Sequence, residues 1–133
     1  TLAAVRKVTK GRVFMVFGAD GDRDASKRPA MAEVAAQGCD ILVVTDHHPR
    51  FEDAASIRKT LVDAARFSRP ELQIVEASPP ELAIREAVAL AQPGDSILWA
   101  GPGHQDYRDI RGVRTPYSAR QEARDALREA GWQ

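Results

Sequence analysis

Four short apolar runs punctuate this chain: RVFMVF at 12–17, DILVVT at 40–45, LQIVEA at 72–77 and SILWA at 96–100. Each is rich in β-branched or aromatic residues and bounded by turn formers, the pattern of strands buried on both faces. Between them, 27–37, 53–67 and 80–92 carry a helical period. The last of these opens at Ser78, which is expected to cap it, with Pro79 and Pro80 in its first turn. Strand and helix in alternation predict an α/β fold, a mostly parallel sheet with helices on both faces. After the fourth run, YRDIRGVRTPYS reads as a hairpin around Gly112, and a final helix runs from about Ser118 to Ala130, stopped at Gly131.

At 133 residues the chain fits one domain without a disulfide or metal staple. It opens at Thr1, and Leu2, Ala3, Val5, Arg6 and Lys7 read as the last turns of a helix stopped by Gly11, as expected of a piece of a longer protein. The charges balance, 19 Lys and Arg against 19 Asp and Glu, so bulk charge draws the chain toward neither nucleic acid nor an anionic membrane. No stretch approaches the about 20 apolar residues that span a bilayer, and the first residues lack the apolar core of a signal peptide. The single cysteine, Cys39, reads as a small buried hydrophobe, and a reducing cytoplasm is the simplest compartment.

In an open α/β sheet, ligands bind beyond the carboxyl ends of the strands. The polar segments GADGDRD (18–24), DHHPR (46–50) and GPGHQDY (101–107) each follow a strand, so all three are expected on one rim. In the first, Gly18 and Gly21 permit tight turns, but the spacing is not that of a dinucleotide fingerprint, and Asp20, Asp22 and Asp24 would repel a pyrophosphate. Arg23 between two acids suits the two-pronged grip of a carboxylate, or else a solvated surface ion pair. Arg50, on the support of Pro49, could hold a carboxylate or phosphate, or pair with Glu52 or Asp53. Gly101 and Gly103 allow close approach of backbone to a ligand or simply turn the chain; His104 could carry a proton or orient the loop. Arg120, Glu122, Arg124, Arg128 and Glu129 read as ordinary helix-surface charges.

Asp46-His47-His48 at a strand end resembles the signature of the DHH phosphoesterases, in which acids and histidines hold divalent metals. That chemistry needs further ligands upstream, and His104 is the only other histidine. Neighbours in an extended chain also point to opposite sides, which separates His47 from His48. The sequence contains no G-x-x-x-x-G-K-[ST] loop, no G-x-S-x-G elbow and no cysteine paired with histidine. A pocket without an engine, such as a non-catalytic α/β binding module would carry, is a further reading.

Taken together and in this order, VFGADGDRDASKRPAM, VVTDHHPR and AGPGHQDY resemble the C-terminal domain of the Mur ligases, from about Gly11 to the final helix. The resemblance implies a Rossmann-like domain of a three-domain cytoplasmic enzyme of peptidoglycan synthesis, with UDP-binding and ATPase domains preceding it. Residues 1–133 would then be a single C-terminal domain, inactive alone, with ATP and Mg2+ bound mainly outside it. The implied reaction adds the third residue, a diamino acid such as meso-diaminopimelate or lysine, to UDP-N-acetylmuramoyl-dipeptide. No nucleic acid, no membrane and no metal held by this domain is implied, and none of its residues would be catalytic.

Carried over by position, Arg23 is expected to hold the main carboxylate of the amino acid. The family's Asp-Asn-Pro-Arg falls on His47-His48-Pro49-Arg50, and its Gly-Lys-Gly-His-Glu falls on Gly101-Pro102-Gly103-His104-Gln105. The resemblance thus implies amino-acid binding by Arg23, His48, Arg50, Gly101 and Gln105, supported by Asp22, His47 and His104. Arg50 would meet a distal carboxylate and Gln105 a distal amine. Gln105 replaces a family glutamate, and a charge-assisted hydrogen bond contributes roughly 1.5 to 3 kcal/mol against about 1 for a neutral one.

Overall fold

The two central apolar runs are the ones covered from both sides. The computed structural model describes residues 2–19, 25–49, 51–100, 107–110, 113–116 and 118–132. It places α1 at Leu2–Val8, β1 at Val13–Phe17, α2 at Arg28–Gly38 behind a 3-10 turn at Ala25–Lys27, β2 at Ile41–Val44 and α3 at Ala54–Ser68. Then follow β3 at Gln73–Glu76, α4 at Pro80–Leu90, β4 at Ser96–Trp99, the hairpin strands β5 at Tyr107–Ile110 and β6 at Val113–Pro116, and α5 at Ala119–Glu129. The four-stranded sheet has the order β3-β2-β1-β4 and is parallel throughout, with Phe14 between Ile41 and Ile97. β5 and β6 pair antiparallel with each other.

Side chains alternate between two apolar layers, as strand geometry requires. Val13, Phe17, Leu42 and Val44 pack with Ala32, Ala35 and Ala36 of α2 and Ile57, Leu61 and Ala65 of α3. Phe14, Val16, Ile41 and Val43 pack with Ala83, Ile84, Ala87 and Val88 of α4 and Ala126 of α5. Helices therefore cover both faces, as the alternation predicts. The alanines of α2 allow close approach to the sheet, while β3 and β4 at the edges are only partly covered.

Helix boundaries depart from expectation where a side chain has other work. Ser78 does not cap α4: Pro79 holds that position, and Ser78 Oγ donates instead to Asp46 Oδ2 at 2.6 Å. Asp53 caps α3, accepting from Ala55 N, and Ser118 caps α5, accepting from Gln121 N at 3.3 Å. The last carbonyls of α2 are met from a distance, for Arg69 donates to Ala36 O and Cys39 O at 2.8 Å each. Cys39 is buried as expected, and loss of solvation pushes its thiol up to about 11. Glu129 is an exposed surface charge as expected and Glu122 is half-buried, but neither is merely solvated. Both accept from Arg85, at 3.0 and 2.9 Å, and so tie α5 to α4.

At the amino ends of the strands, Gln92-Pro93-Gly94-Asp95 forms a β-turn closed by Asp95 N donating to Gln92 O at 3.0 Å. Gly94 sits at φ 94°, the left-handed conformation that a type II turn requires after proline. The turn brings Asp95, whose side chain is only 4% exposed, against β1. There it accepts from Arg12 N, Gln92 N and the Arg12 guanidinium. Gly11 makes the approach possible, since a Cβ there would lie 2.3 Å from Asp95 Oδ1.

Burial alone would raise the Asp95 pKa, but these donors outweigh it and hold the carboxyl below the usual aspartate range. A folded pKa below the unfolded one means stability that is present above the unfolded value of about 3.9 and lost as pH falls through the folded value. Asp95→Asn is therefore expected to flatten the acid limb of a stability–pH profile below about pH 4. Denaturant melts at a series of pH values check this, and an unchanged slope refutes it.

Candidate functional site

The strand order reverses direction at β1: β2 and β3 extend to one side, and the chain then returns to place β4 on the other. Helix α2, which follows β1, packs on one face and α5, which follows β4 and the hairpin, on the other, the arrangement beside which open α/β sheets bind ligands. The ladders run one residue past the strands. Thr45 N donates to Phe17 O at 2.9 Å, Ala77 N to Val44 O at 3.0 Å and Ala100 N to Val16 O at 2.9 Å. The roots of the three polar segments thus lie side by side, as the sequence predicts. Of the residues expected to bind the amino acid, only His48 and its neighbour His47 fall within the described residues; Asp22, Arg23, Arg50, Gly101, His104 and Gln105 lie outside them.

Gly18 matters through proximity, with no unusual backbone angle. A Cβ at this position would lie 2.5 Å from Thr45 O, 2.8 Å from the Asp46 carbonyl carbon and 2.9 Å from His47 N. The segments that follow β1 and β2 therefore touch backbone to backbone at their feet. Thr45 is fully buried in this contact, and its hydroxyl has no hydrogen-bond partner among the described residues.

Beyond Thr45 the chain bends at His47, and the bend overturns the expectation that His47 and His48 face opposite ways. Their ring centroids are 4.2 Å apart with planes tilted by 38°. The extended geometry ends with β2, so the period of two ends there as well. His48 is 2% exposed and Pro49 is buried, whereas His47 is half-buried. Glu52 N donates to Pro49 O at 3.0 Å, which fixes the far side of the segment.

Asp46 is committed to protein partners. Its Oδ1 accepts from Arg58 Nη1 at 2.5 Å and its Oδ2 from Ser78 at 2.6 Å, while Arg58 also donates to Glu76 Oε2 at 3.0 Å. Burial works against the charge on Arg58, yet the two carboxylates hold its pKa above the ordinary arginine value. A guanidinium against the carboxylate occupies the place a metal ion would need, so the phosphoesterase reading has no support from this geometry. Among the described residues, no three His, Cys, Asp or Glu side chains cluster in a way that could hold a metal.

The acids proposed as partners of Arg50 also have other bonds. Glu52 accepts from Arg28 Nη1 and Nη2 at 2.9 and 2.8 Å, and Asp53 accepts from Ala55 N and Ser56 Oγ. Sequence reading passed over Arg28 and Arg58 because each lies in a helical stretch, where an arginine reads as surface. The available signal was position: each is a cation within the first turn or two of a helix entered from the rim.

Beside the rim, a groove of about 500 Å3 opens between β1 and α2, lined by Met15, Phe17, Met31, Val34, Ala100 and Lys27 among others. Apart from Lys27 these walls are apolar, so the groove lacks the donors that fix a zwitterion.

The profile of the family described as Mur ligase, glutamate ligase domain matches residues 1–103. A UDP-N-acetylmuramyl-tripeptide synthetase of Leifsonia xyli subsp. xyli (strain CTCB07) is 57% identical over 132 residues, which cover 99% of this chain and 26% of that protein. A UDP-N-acetylmuramoyl-L-alanyl-D-glutamate--2,6-diaminopimelate ligase of Chelativorans sp. (strain BNC1) is 44% identical over 128 residues, 96% of this chain and 25% of its own. A solved structure of a UDP-N-acetylmuramoyl-L-alanyl-D-glutamate--2,6-diaminopimelate ligase superposes with a TM-score of 0.88 at 30% identity, over 99% of this chain and 27% of that one. The chain thus spans about a quarter of the length of the curated relatives it matches.

Gly18→Ala tests the backbone contact at the rim. The added methyl meets main-chain atoms that cannot rotate away, and overpacking of this kind costs about 1 to 3 kcal/mol. A lowered denaturation midpoint is expected, with altered amide shifts at Thr45 to His47; unchanged shifts would mean that the loops are not in contact.

Proposed function

The chain belongs to the Mur ligase family through its glutamate ligase domain, and on that premise we propose that it is the amino-acid-presenting domain of an ATP-dependent ligase of peptidoglycan synthesis. The observation that carries the reading is 57% identity, over 99% of the chain, to a protein named as a tripeptide synthetase. In this reading the ligase joins a third residue to UDP-N-acetylmuramoyl-dipeptide.

ATP, with Mg2+, would supply the activation, its γ-phosphoryl group passing to the dipeptide carboxylate as ADP leaves, and both would be held mainly by other domains. The residues of this chain bind and orient. Arg23 grips the main carboxylate of the incoming amino acid in the fork geometry that a guanidinium offers. Its amine then lies free to attack the acyl carbon; the new C–N bond forms as the C–O bond breaks, phosphate leaves with the electron pair, and the nitrogen gives up a proton.

Arg50 meets a distal carboxylate, His48 and Gly101 shape the pocket beside it, and Gln105 accepts from a distal amine. Asp22, His47 and His104 support these groups. A neutral Gln105 weakens the attraction for a distal ammonium and leaves meso-diaminopimelate, lysine and other diamino acids as candidate substrates. The walls of the β1–α2 groove play no part in this chemistry.

Assays of phosphate release by the intact enzyme against a panel of amino acids test the assignment. Arg23→Ala is expected to raise the amino-acid KM at least about tenfold, the loss of one charge-assisted grip, with the ATP KM unchanged; an unmoved amino-acid KM refutes the role. Gln105→Glu is expected to improve kcat/KM for substrates with a distal ammonium by roughly three- to tenfold, the gain of charge on the acceptor. An equal gain for substrates without that ammonium would remove Gln105 from the site.

A further inference from the structure

Arg28 stands where simple physical chemistry would not place it. It is the first residue of α2, and the amino end of a helix carries a partial positive charge that disfavours a cation. It is also 5% exposed, so its charge has lost most of its solvation. Helix formation gains nothing from a cation at this point. Its two terminal nitrogens reach Glu52 in parallel, at 2.9 and 2.8 Å, the two-pronged geometry that fixes direction as well as distance.

The pair joins two rim segments. Arg28 lies five positions after Arg23, and Glu52 lies two positions after Arg50. The same segments already meet at their feet, where Gly18 abuts Thr45, Asp46 and His47. They are thus tied twice, through a backbone contact below and through an ion pair above. In sequence, Arg23 falls between Gly18 and Arg28, and Arg50 between His47 and Glu52.

We propose that Arg28 and Glu52 form a positioning latch that sets the separation of the two arginine-bearing segments, and with it the length of amino acid the site accepts. This inference rests on the amino-acid-binding reading given above. Neither residue needs to touch the substrate. The latch acts by holding the start of α2 against the segment that follows β2.

Steady-state kinetics of the intact enzyme with Arg28→Lys, Glu52→Gln and the swapped pair Arg28→Glu/Glu52→Arg test the latch. Lysine keeps the charge but cannot make two parallel bonds. Each single variant is expected to raise the KM of the preferred amino acid about tenfold, since small misplacement of binding groups is costly, and to leave kcat and the ATP KM within about twofold. Discrimination between amino acids with and without a distal carboxylate should shrink in parallel, and the swapped pair should recover part of both. Variants that melt lower yet keep every KM and the same discrimination would overturn the latch and leave a purely structural ion pair. A wild-type enzyme that ligates no amino acid would overturn the binding reading, and the latch with it.

Discussion

No side chain of β2 and almost none of β1 can reach solvent, because apolar layers close over both faces of these central strands. That double covering decides where the domain can be polar. Chemistry is excluded from the middle of the sheet and collects where the strands end. At the amino ends it is used for closure, through the Gly94 turn and Asp95. At the carboxyl ends it gathers on the rim, between helices that cover opposite faces.

Part of the charge of the chain is structural. Arginines brace elements that are far apart in sequence: Arg6 to Asp40, Arg12 to Asp95, Arg28 to Glu52, Arg58 to Asp46 and Glu76, and Arg85 to Glu122 and Glu129. Arg69 does the same for a helix end by taking up backbone carbonyls. An exposed ion pair contributes little, about 0 to 1 kcal/mol. The partly buried ones at the rim carry more consequence, since removing one partner there strands a desolvated charge. A flexible lysine could not fill most of these places, because several of the braces are forked.

What the sequence made legible was whatever repeats locally. β-branched runs and helical period located the four parallel strands and their helices to within a few residues, and the position of the polar segments after strands located the rim. What it hid was pairing across distance. Nothing near Ser78 signals that its hydroxyl serves Asp46, which lies on the neighbouring strand's exit, instead of α4. Glu122 and Glu129 look like surface charges until α4 brings Arg85 beneath them. The His47–His48 contact was missed for a different reason: the alternation rule was carried one step beyond the strand that justified it. Family resemblance assigned Arg23, Arg50 and Gln105 their roles, which local pattern alone left open.

The missing side chain of Gly18 also bears on how the rim can move. With Thr45 O and His47 N too near Gly18 to leave room for a Cβ, and Thr45 N bonded to Phe17 O, the feet of the segments after β1 and β2 have no slack between them. Separating them would break a sheet hydrogen bond and expose fully buried Thr45 and Val44, a local unfolding event and not the nanosecond fluctuation usual for loops. At their bases the two segments therefore move as one body.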